Sequence, residues 1–413
     1  MLLKTIDYKE LLLARDILQG EFRFSQTSKN DSDVISFTHG NGVRYPDYLD
    51  KYSFNCSKLH KYNILTKDKV MAVEYKLRKL YKQYDKDFCL TLGAVDGLQT
   101  YFKCWVKASD CVIVTPGFFH SITTWVCFLN VPILLLPIKN TLSESEKEKI
   151  IESFNSISKK FRFIHLIITN PSISGNLYKK NLIDFIKINS PINSNIVYDY
   201  IFYPIYTENY NDSENVIDFS NNEIGVFSLT KSHGLSAQPF GCMFGSKNIL
   251  NSIKEYLAGH RGRFPIINLE IALSALIHGR NYIRVNNTEI NLRRNIILSK
   301  ISPEYHIIKV IGKPIASHSI TIKLPLCKRE NDIRSFSIQH IYNLLNHYKV
   351  AVSPGITNGE PDGSIRINFA DCGDDFHLVM STQQAFEHGR RKMLDGINRV
   401  IQYAKDISNH PSL

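Results

Sequence analysis

One lysine stands in a context that can make its amine reactive. Lys231 belongs to Ser228-Leu229-Thr230-Lys231-Ser232-His233-Gly234, directly after the strand-like run Gly225–Phe227. A lysine at a strand end, preceded by hydroxyl residues and followed by a glycine turn, can be held in a pocket where its amine loses solvation and becomes nucleophilic. Because most lysines are surface charges, neighbouring motifs must decide whether Lys231 is a reactive lysine or an ordinary surface lysine.

Three motifs upstream of this lysine also follow strand-like runs. Asp199 follows Asn195–Tyr198, and a buried carboxylate there needs a partner such as a protonated pyridine nitrogen, unless it serves as a helix N-cap. Gly93-Ala94-Val95 leads into a helix, which suits either a backbone cradle for a phosphate or a simple tight turn. In Pro116-Gly117-Phe118 the aromatic ring could stack on a cofactor ring, whereas we interpret Phe119 as a core residue.

The elements that position these motifs alternate between apolar strands and amphipathic helices. The predicted strands are Phe88–Thr91, Cys111–Val114, Val131–Leu136, Phe163–Thr169, Asn195–Tyr198, Val226–Leu229 and Gly241–Phe244. Strands this apolar predict an α/β domain with a mainly parallel, seven-stranded-type sheet between layers of helices. The motifs fall at strand ends, where open α/β sheets bind ligands.

The last third of the chain mixes strands with helices and predicts a smaller α+β domain. Predicted strands include Ser319–Lys323 and Ser364–Phe369, and a long helical pattern runs through Phe376–Asp406. We therefore expect an N-terminal segment (1–47) that packs with the small domain, a large domain (48–275) and a small C-terminal domain (276–413). The first twenty residues have the pattern of an amphipathic helix, with charges that argue against a signal peptide.

Bulk composition narrows the class of protein. A chain of 413 residues with 43% hydrophobic and 22% charged residues is typical of a soluble two-domain protein, and no apolar run is long enough to span a membrane. The net charge of +11 is spread along the chain, which favours solvated helix faces or an anionic ligand over nucleic-acid binding. Eight scattered cysteines without a CxxC pair predict buried thiols in a reducing cytoplasm, and we expect no metal site.

The order of the motifs resembles fold-type I pyridoxal-phosphate enzymes of the class I/II aminotransferase superfamily, over roughly residues 35 to 400. The matching segments are Gly93-Ala94-Val95, Pro116-Gly117-Phe118, Asn170-Pro171-Ser172-Ile173-Ser174-Gly175, Asp199, Ser228-Leu229-Thr230-Lys231, and Val352-Ser353-Pro354-Gly355 with Gly363-Ser364-Ile365-Arg366-Ile367-Asn368-Phe369. The resemblance implies pyridoxal 5'-phosphate as cofactor and an α-amino acid as substrate.

Residue roles follow from the same resemblance. It implies that Lys231 forms an aldimine and moves the Cα proton, that Asp199 keeps the pyridine nitrogen protonated, and that Arg366 binds the substrate carboxylate, unless Arg366 is an ordinary strand-edge arginine. Gly40 is implied to lie against the substrate, and Tyr62 to reach the phosphate of a partner subunit. The implied cofactor-binding positions are Gly93, Ala94, Val95, Phe118, Asn170, Asp199, Phe202, Ser228, Thr230 and Tyr62.

Three departures from the family pattern bear on function. Pro239 replaces the arginine that the family has eight residues after the lysine, so that another basic residue substitutes or the phosphate is held less tightly. Phe202 replaces a tyrosine that bonds the ring oxygen in the family, and the adjacent Tyr203 would point elsewhere. The Asn-Pro turn is short, which leaves either Asn170 or Ser172 to contact the ring oxygen.

The resulting prediction is an aminotransferase acting through an external aldimine and Cα deprotonation. A cyclase, an elimination lyase or an amino-acid oxidase of the same fold begins with the same proton removal, and a non-catalytic regulatory domain is a further alternative. His39, His233 and Tyr200 are candidates for lining the substrate pocket. We expect a cytoplasmic homodimer with a small amino-acid substrate and neither a nucleic-acid nor a membrane partner.

Overall fold

The computed structural model describes residues 3–6, 33–38, 46, 48–49, 64–205, 218–261, 264–329, 333, 335–370 and 382–410. Within these residues lie fourteen strands and eleven α-helices, arranged as a large and a small domain. No helix in this part of the chain is both long and apolar enough to cross a membrane.

The large domain contains an eight-stranded sheet. Its strands are β1 (Lys4–Thr5), β3 (Asp87–Thr91), β4 (Cys111–Val114), β5 (Ile133–Leu135), β6 (Ile164–Thr169), β7 (Ser194–Tyr200), β8 (Glu223–Ser228) and β9 (Gly241–Gly245). Their spatial order is β1-β5-β4-β6-β7-β8-β9-β3, in which β5, β4, β6, β7 and β8 run parallel and β9 is antiparallel to both neighbours. The predicted mainly parallel sheet is confirmed, and all seven predicted strands are present with ends shifted by a few residues.

Helices and two hydrophobic clusters cover this sheet. The helices are α1 (Ile64–Tyr81), α2 (Gly93–Trp105), α3 (Ser121–Phe128), α4 (Glu144–Ser158), α5 (Lys180–Asn189), α6 (Leu229–Ser232), α7 (Lys247–Arg261) and α8 (Ile266–His278). Alternation along the strands sends Ile113 into one cluster and Val112 and Val114 into the other. Strands buried on both faces read as continuous apolar runs, which is why the sequence predicted them well.

The small domain has mixed α and β structure, as predicted. Its strands are β2 (Ile35–Ser36), β10 (Lys309–Val310), β11 (Ser319–Lys323), β12 (Val350–Ala351), β13 (Ser353–Pro354) and β14 (Ser364–Asn368), and its helices are α9 (Arg280–Ile301), α10 (Phe336–Tyr348) and α11 (Thr382–Asn409). The order β10-β11-β14-β13 forms an antiparallel sheet, and β2 pairs with β12 in parallel.

Two features of the domain organisation are visible in the described residues. Lys4 and Thr5 pair with Leu135 and Leu134 on the large sheet, where they cover the edge of β5. The expected amphipathic helix in the first twenty residues falls mainly on positions outside the described residues. Residues 35–37 do pack in the small-domain core. Residue 275, after which the small domain was expected to begin, lies in α8, and along α9 Tyr282 packs in the core of the large sheet and Ile290 in the core of the small sheet.

The cysteine prediction also needs one correction. The described cysteines are free thiols, and four of the six are buried. Cys127, however, is exposed near the end of α3, because it lies on the solvent side of that helix.

Candidate active site

Lys231 lies in the short helix α6, which begins directly after β8. Ser228 at the end of β8 caps this helix, because its Oγ accepts a hydrogen bond from Thr230 N at 3.1 Å and lies 2.7 Å from Thr230 Oγ1. The turn after α6 uses Gly234 at φ +71°, where an added Cβ would collide with the Tyr282 hydroxyl. These contacts hold Lys231, which is half-buried, at the carboxyl end of the parallel sheet.

Asp199 lies at the same sheet edge, in the strand next to β8. It is buried and pairs in register with Thr169 of β6 and Val226 of β8. Burial raises the pKa of its carboxyl to about 7, although the N–H of Ile201, 3.2 Å from Oδ1, and the Thr169 hydroxyl oppose the shift. The carboxylate is therefore kept at a free-energy cost that a cationic ligand would offset.

The start of α2 meets the Lys231 segment. Gly93 begins the helix at φ +80°, and a Cβ there would come 3.2 Å from Pro239 Cβ and 3.9 Å from Thr230 Oγ1. The preceding residue, Leu92, has no side-chain oxygen with which to cap the first N–H groups of the helix. This helix end therefore offers backbone donors beside the Ser228 and Thr230 hydroxyls, as a phosphate requires.

Arg261 is a residue at this helix end that the sequence analysis missed. Its Nη1 donates to Asp96 Oδ2 at 2.5 Å, and its Nη2 donates to the Leu90 carbonyl at 3.1 Å. Asp96 also accepts from Leu92 N at 2.8 Å. Arg261 therefore offsets the negative charge of Asp96 close to the Gly93 turn, which packs against Pro239.

The two neighbouring phenylalanines differ in exposure. Phe118 is fully buried, and its ring lies against Gly359. Phe119 is half-buried and packs against the cores of both domains, with its ring 4.8 Å from that of His120. Phe119, which the sequence analysis interpreted as a core residue, is thus the one of the two rings with accessible surface.

The Asn-Pro turn is joined to Asp199 through the backbone. Asn170 N donates to the Asp199 carbonyl at 3.0 Å, and the Asn170 amide pairs with the main chain of Tyr178 through bonds of 3.2 and 2.9 Å. One N–H of that amide is left for a further acceptor. Ser172 instead accepts from Asn176 N at 3.1 Å and lies against Gly117. Asn170 is therefore the closer of the two to Asp199.

Arg366 reaches the site from the small domain. It lies in the middle of β14, opposite Thr321 of β11 and Ser353 of β13, and its Nη2 donates to Ser353 Oγ at 3.0 Å. Burial lowers the pKa of its guanidinium to about 10, yet the residue keeps partial exposure to solvent. The paired Ser353 orients the guanidinium.

Phe202 and Tyr203 point into different cores. Phe202 packs in the small-domain core, with its ring edge-on to His318 at a centroid distance of 5.0 Å. Tyr203 packs on Tyr81 at 5.8 Å in the large-domain core. The prediction that Tyr203 points away from the position of Phe202 agrees with this arrangement.

Of the other predicted site residues, two are buried and three lie outside the described residues. His233 is buried with its pKa lowered to about 3 by desolvation, and its Nδ1 lies 2.9 Å from Ser232 Oγ. Tyr200 stacks on Phe227 in the large-domain core. Gly40, Tyr62 and His39 lie outside the described residues.

Two buried titratable residues near the site were missed from the sequence. Glu360 accepts a hydrogen bond from Ser174 Oγ, and burial raises the pKa of its carboxyl to about 7. His318 has a pKa well below its ordinary value because of burial and the positive charges of Lys231 and Arg366.

Solved structures of known proteins share this arrangement of domains. An archaeal alanine:glyoxylate aminotransferase matches with a TM-score of 0.73 and 17% identity, covering 94% of this chain and 95% of that one. A Methanococcus jannaschii protein, described as similar in its active site to kynurenine aminotransferases, matches with a TM-score of 0.68 and 18% identity over 94% and 96% of the two chains. The chain has the fold of the class I aminotransferases.

A third aminotransferase-fold match is the aspartate aminotransferase of Thermotoga maritima, with a TM-score of 0.67 and 16% identity over 94% of this chain and 96% of that one. No protein-family model and no curated protein matches the chain in sequence. At these identities the likeness establishes the aminotransferase fold, and the chemistry has to be argued from the residues.

Proposed function

We propose that this chain is a pyridoxal 5'-phosphate-dependent enzyme that transfers the amino group of an α-amino acid. The observation that carries the proposal is the meeting of three groups at one sheet edge. Lys231 follows β8, the buried Asp199 is the second-last residue of the adjacent β7, and the α2 N-terminus lies against Thr230. This cofactor needs a reactive amine, a buried carboxylate whose charge a cation would stabilise, and a row of backbone N–H donors for its phosphate.

The residues present fit the cofactor. Asp199 has a pKa of about 7 because it is desolvated, and a protonated ring nitrogen would supply the missing positive charge. The α2 N-terminus with the hydroxyls of Ser228 and Thr230 would hold the phosphate, and the remaining N–H of Asn170 would reach the ring oxygen. Phe118 or the more exposed Phe119 would contact the ring face.

The protein's own groups then have separate tasks. When bound, the cofactor supplies an electron sink for negative charge developing at the substrate Cα. Arg366 binds the substrate carboxylate through charge-assisted hydrogen bonds, which fixes the Cα–H direction. The Lys231 amine would hold the cofactor before substrate binds, and it would then accept a proton from the substrate Cα and donate it back. Because Arg366 holds the carboxylate, decarboxylation is disfavoured.

The location of the cofactor is tested by chemical trapping. Protein incubated with pyridoxal 5'-phosphate is reduced with borohydride and digested, and the peptide masses show which lysine carries the cofactor. We expect the mass increase on the peptide containing Lys231, its loss in Lys231→Ala and its retention in Lys247→Ala, an exposed lysine. Covalent cofactor in Lys231→Ala would contradict the assignment.

The reaction type is tested by following nitrogen. The loaded protein is incubated with a panel of amino acids, with and without a keto acid, and the products are analysed by mass. Transamination predicts a new amino acid only when the keto acid is present. Ammonia release without a keto acid would replace transamination by elimination or oxidation, and no turnover of any amino acid would favour a regulatory domain.

The proposal extends to assembly. We infer a homodimer, because the resemblance assigns Tyr62 to the phosphate of a partner subunit. Light scattering of the purified protein measures the molar mass directly. A monomer that binds cofactor with full affinity would contradict this part of the proposal.

A further inference from the structure

The first turn of α2 already holds a negative charge beside the proposed phosphate site. Asp96 lies in this turn, and its Oδ2 accepts a hydrogen bond from Leu92 N at 2.8 Å. The next residue, Gly93, begins the helix, and a Cβ on it would lie 3.9 Å from Thr230 Oγ1. A phosphate dianion bound at this helix end would be repelled by a carboxylate whose charge is not balanced.

Arg261 contacts this carboxylate from the last turn of α7. Its Nη1 donates to Asp96 Oδ2 at 2.5 Å, the same oxygen that Leu92 N binds. Its Nη2 donates to the Leu90 carbonyl at 3.1 Å, which fixes the plane of the guanidinium. The side chains of Arg261 and Asp96 are 18% and 26% exposed, so solvent screens this ion pair less than a pair on the open surface.

Aromatic packing connects Arg261 to the other side of the proposed phosphate site. The guanidinium carbon lies 5.1 Å from the ring centroid of Phe264, and that ring meets the ring of Phe240 edge-on at 5.4 Å. The Phe240 carbonyl accepts from Ser228 Oγ at 3.1 Å, and Phe240 directly follows Pro239. The positive charge of Arg261 is therefore fixed by contacts that reach both the start of α2 and the segment with Ser228.

We propose that Arg261 is a positioning residue for the cofactor phosphate, and that it acts by neutralising Asp96. The inference rests on the proposed function and names the basic residue that compensates for Pro239. Because the ion pair cancels the charge of the carboxylate, the N–H donors at the start of α2 can bind a phosphate dianion. The site therefore favours the phosphorylated form of the cofactor only while the ion pair is intact.

The test compares pyridoxal 5'-phosphate with pyridoxal, which has the same ring and aldehyde and no phosphate. Each compound is titrated into the cofactor-free protein at pH 7.5, and the absorbance of the bound form is followed. In Arg261→Gln we expect the dissociation constant of pyridoxal 5'-phosphate to rise by about tenfold or more, and that of pyridoxal to change by less than about threefold. An equal loss for both compounds, or no loss for either, would overturn the proposal. Arg261→Met is the second uncharged variant if the glutamine protein does not fold.

Removal of the carboxylate should remove the need for Arg261. Asp96→Asn keeps an oxygen that can accept from Leu92 N, and it should bind pyridoxal 5'-phosphate at least as tightly as wild type. In the Asp96→Asn background, Arg261→Gln should weaken this binding by less than about threefold. Weaker binding in Asp96→Asn, or a loss of about tenfold in the double variant, would contradict an action of Arg261 through Asp96.

Lys254→Gln is the matched control, because it removes the same charge from the same helix. Lys254 lies in α7 with its Nζ 3.5 Å from Asp87 Oδ1, at the start of β3, and the substitution leaves the Arg261–Asp96 pair in place. Both dissociation constants should stay within about threefold of the wild-type values. A loss as large as that in Arg261→Gln would assign the effect to net charge and would exclude a specific role for Arg261.

The wild-type titration distinguishes failure of this inference from failure of the proposed function. A wild-type protein that binds neither pyridoxal 5'-phosphate nor pyridoxal would refute the proposed function. If wild type binds pyridoxal 5'-phosphate and the uncharged variants bind it equally tightly, only the role of Arg261 is refuted.

Discussion

Replacing Asp199 by asparagine should stabilise the cofactor-free protein and weaken cofactor binding. The carboxyl is fully enclosed, and burial moves its pKa from 3.8 to about 7. At about 1.36 kcal/mol per pH unit, this difference corresponds to roughly 4 kcal/mol of unfolding free energy lost when the group is ionised. Asparagine removes the ionisation and keeps an oxygen that can accept from Ile201 N.

The sign of the effect follows from proton linkage. A carboxyl with a raised pKa binds more protons in the folded state than in the unfolded chain, so its contribution to stability falls as the pH rises from 3.8 to about 7. Below that window wild type and Asp199→Asn should be equally stable. The advantage of Asp199→Asn should grow by about 1.4 kcal/mol per pH unit between pH 5 and 7 and then level off.

Urea unfolding of the cofactor-free proteins, followed by fluorescence between pH 5 and 8.5, measures this difference. The decisive quantity is the slope of the stability difference against pH, because unrelated titrating groups cancel between the two proteins. A difference that does not change with pH, or a variant less stable than wild type at pH 8, would refute the account of Asp199 as a desolvated carboxylate. Addition of cofactor should reverse the order of stability, since only wild type gains the ion pair with the ring nitrogen.

Three other substitutions test neighbouring parts of the argument. Glu360→Gln should also stabilise the cofactor-free protein above pH 7, by about 3 kcal/mol since burial raises that pKa from 4.5 to about 7, while leaving cofactor affinity unchanged; a loss of affinity in a cofactor titration would contradict this. Gly93→Ala should cost about 1–2 kcal/mol in urea unfolding because of its φ of +80° and the close Pro239 Cβ, whereas Gly259→Ala, with open space around it in α7, should cost nothing. Arg366→Lys should raise KM for the amino acid by about tenfold or more, because an ammonium does not reproduce the two parallel bonds of a guanidinium; an unchanged KM in steady-state kinetics would remove Arg366 from the site.

The order of elements and the position of the principal motifs were available from the sequence. Strands such as Cys111–Val114 and Ile164–Thr169 are buried on both faces, and continuous apolar runs identify them without any partner information. Because the carboxyl ends of parallel strands meet at one edge, Asp199 and Lys231 could be expected in one place from their positions at the carboxyl ends of β7 and β8.

The sequence was less informative about domain boundaries and about which charged residues form ion pairs. The change of core along α9, the β1 strand at the edge of β5 and the exposure of Cys127 depend on which surfaces come into contact. Arg261 and Asp96 are separated along the chain, and only the packing of α7 beside α2 joins them. The local sequence around Arg261 does not predict that contact.

The sequence by itself thus determined the strands of the sheet, the order of the motifs along the chain and the position of Lys231 at a strand end. These depend on local hydrophobicity and on the geometry of parallel strands. The tertiary structure alone decided the state of the groups around that lysine. Asp199 and Glu360 acquire raised pKa values, and His318 a pKa well below its ordinary value, only when segments distant in the chain exclude water from them. Desolvation is a property of the packed protein, and a residue's neighbours in the chain do not reveal it.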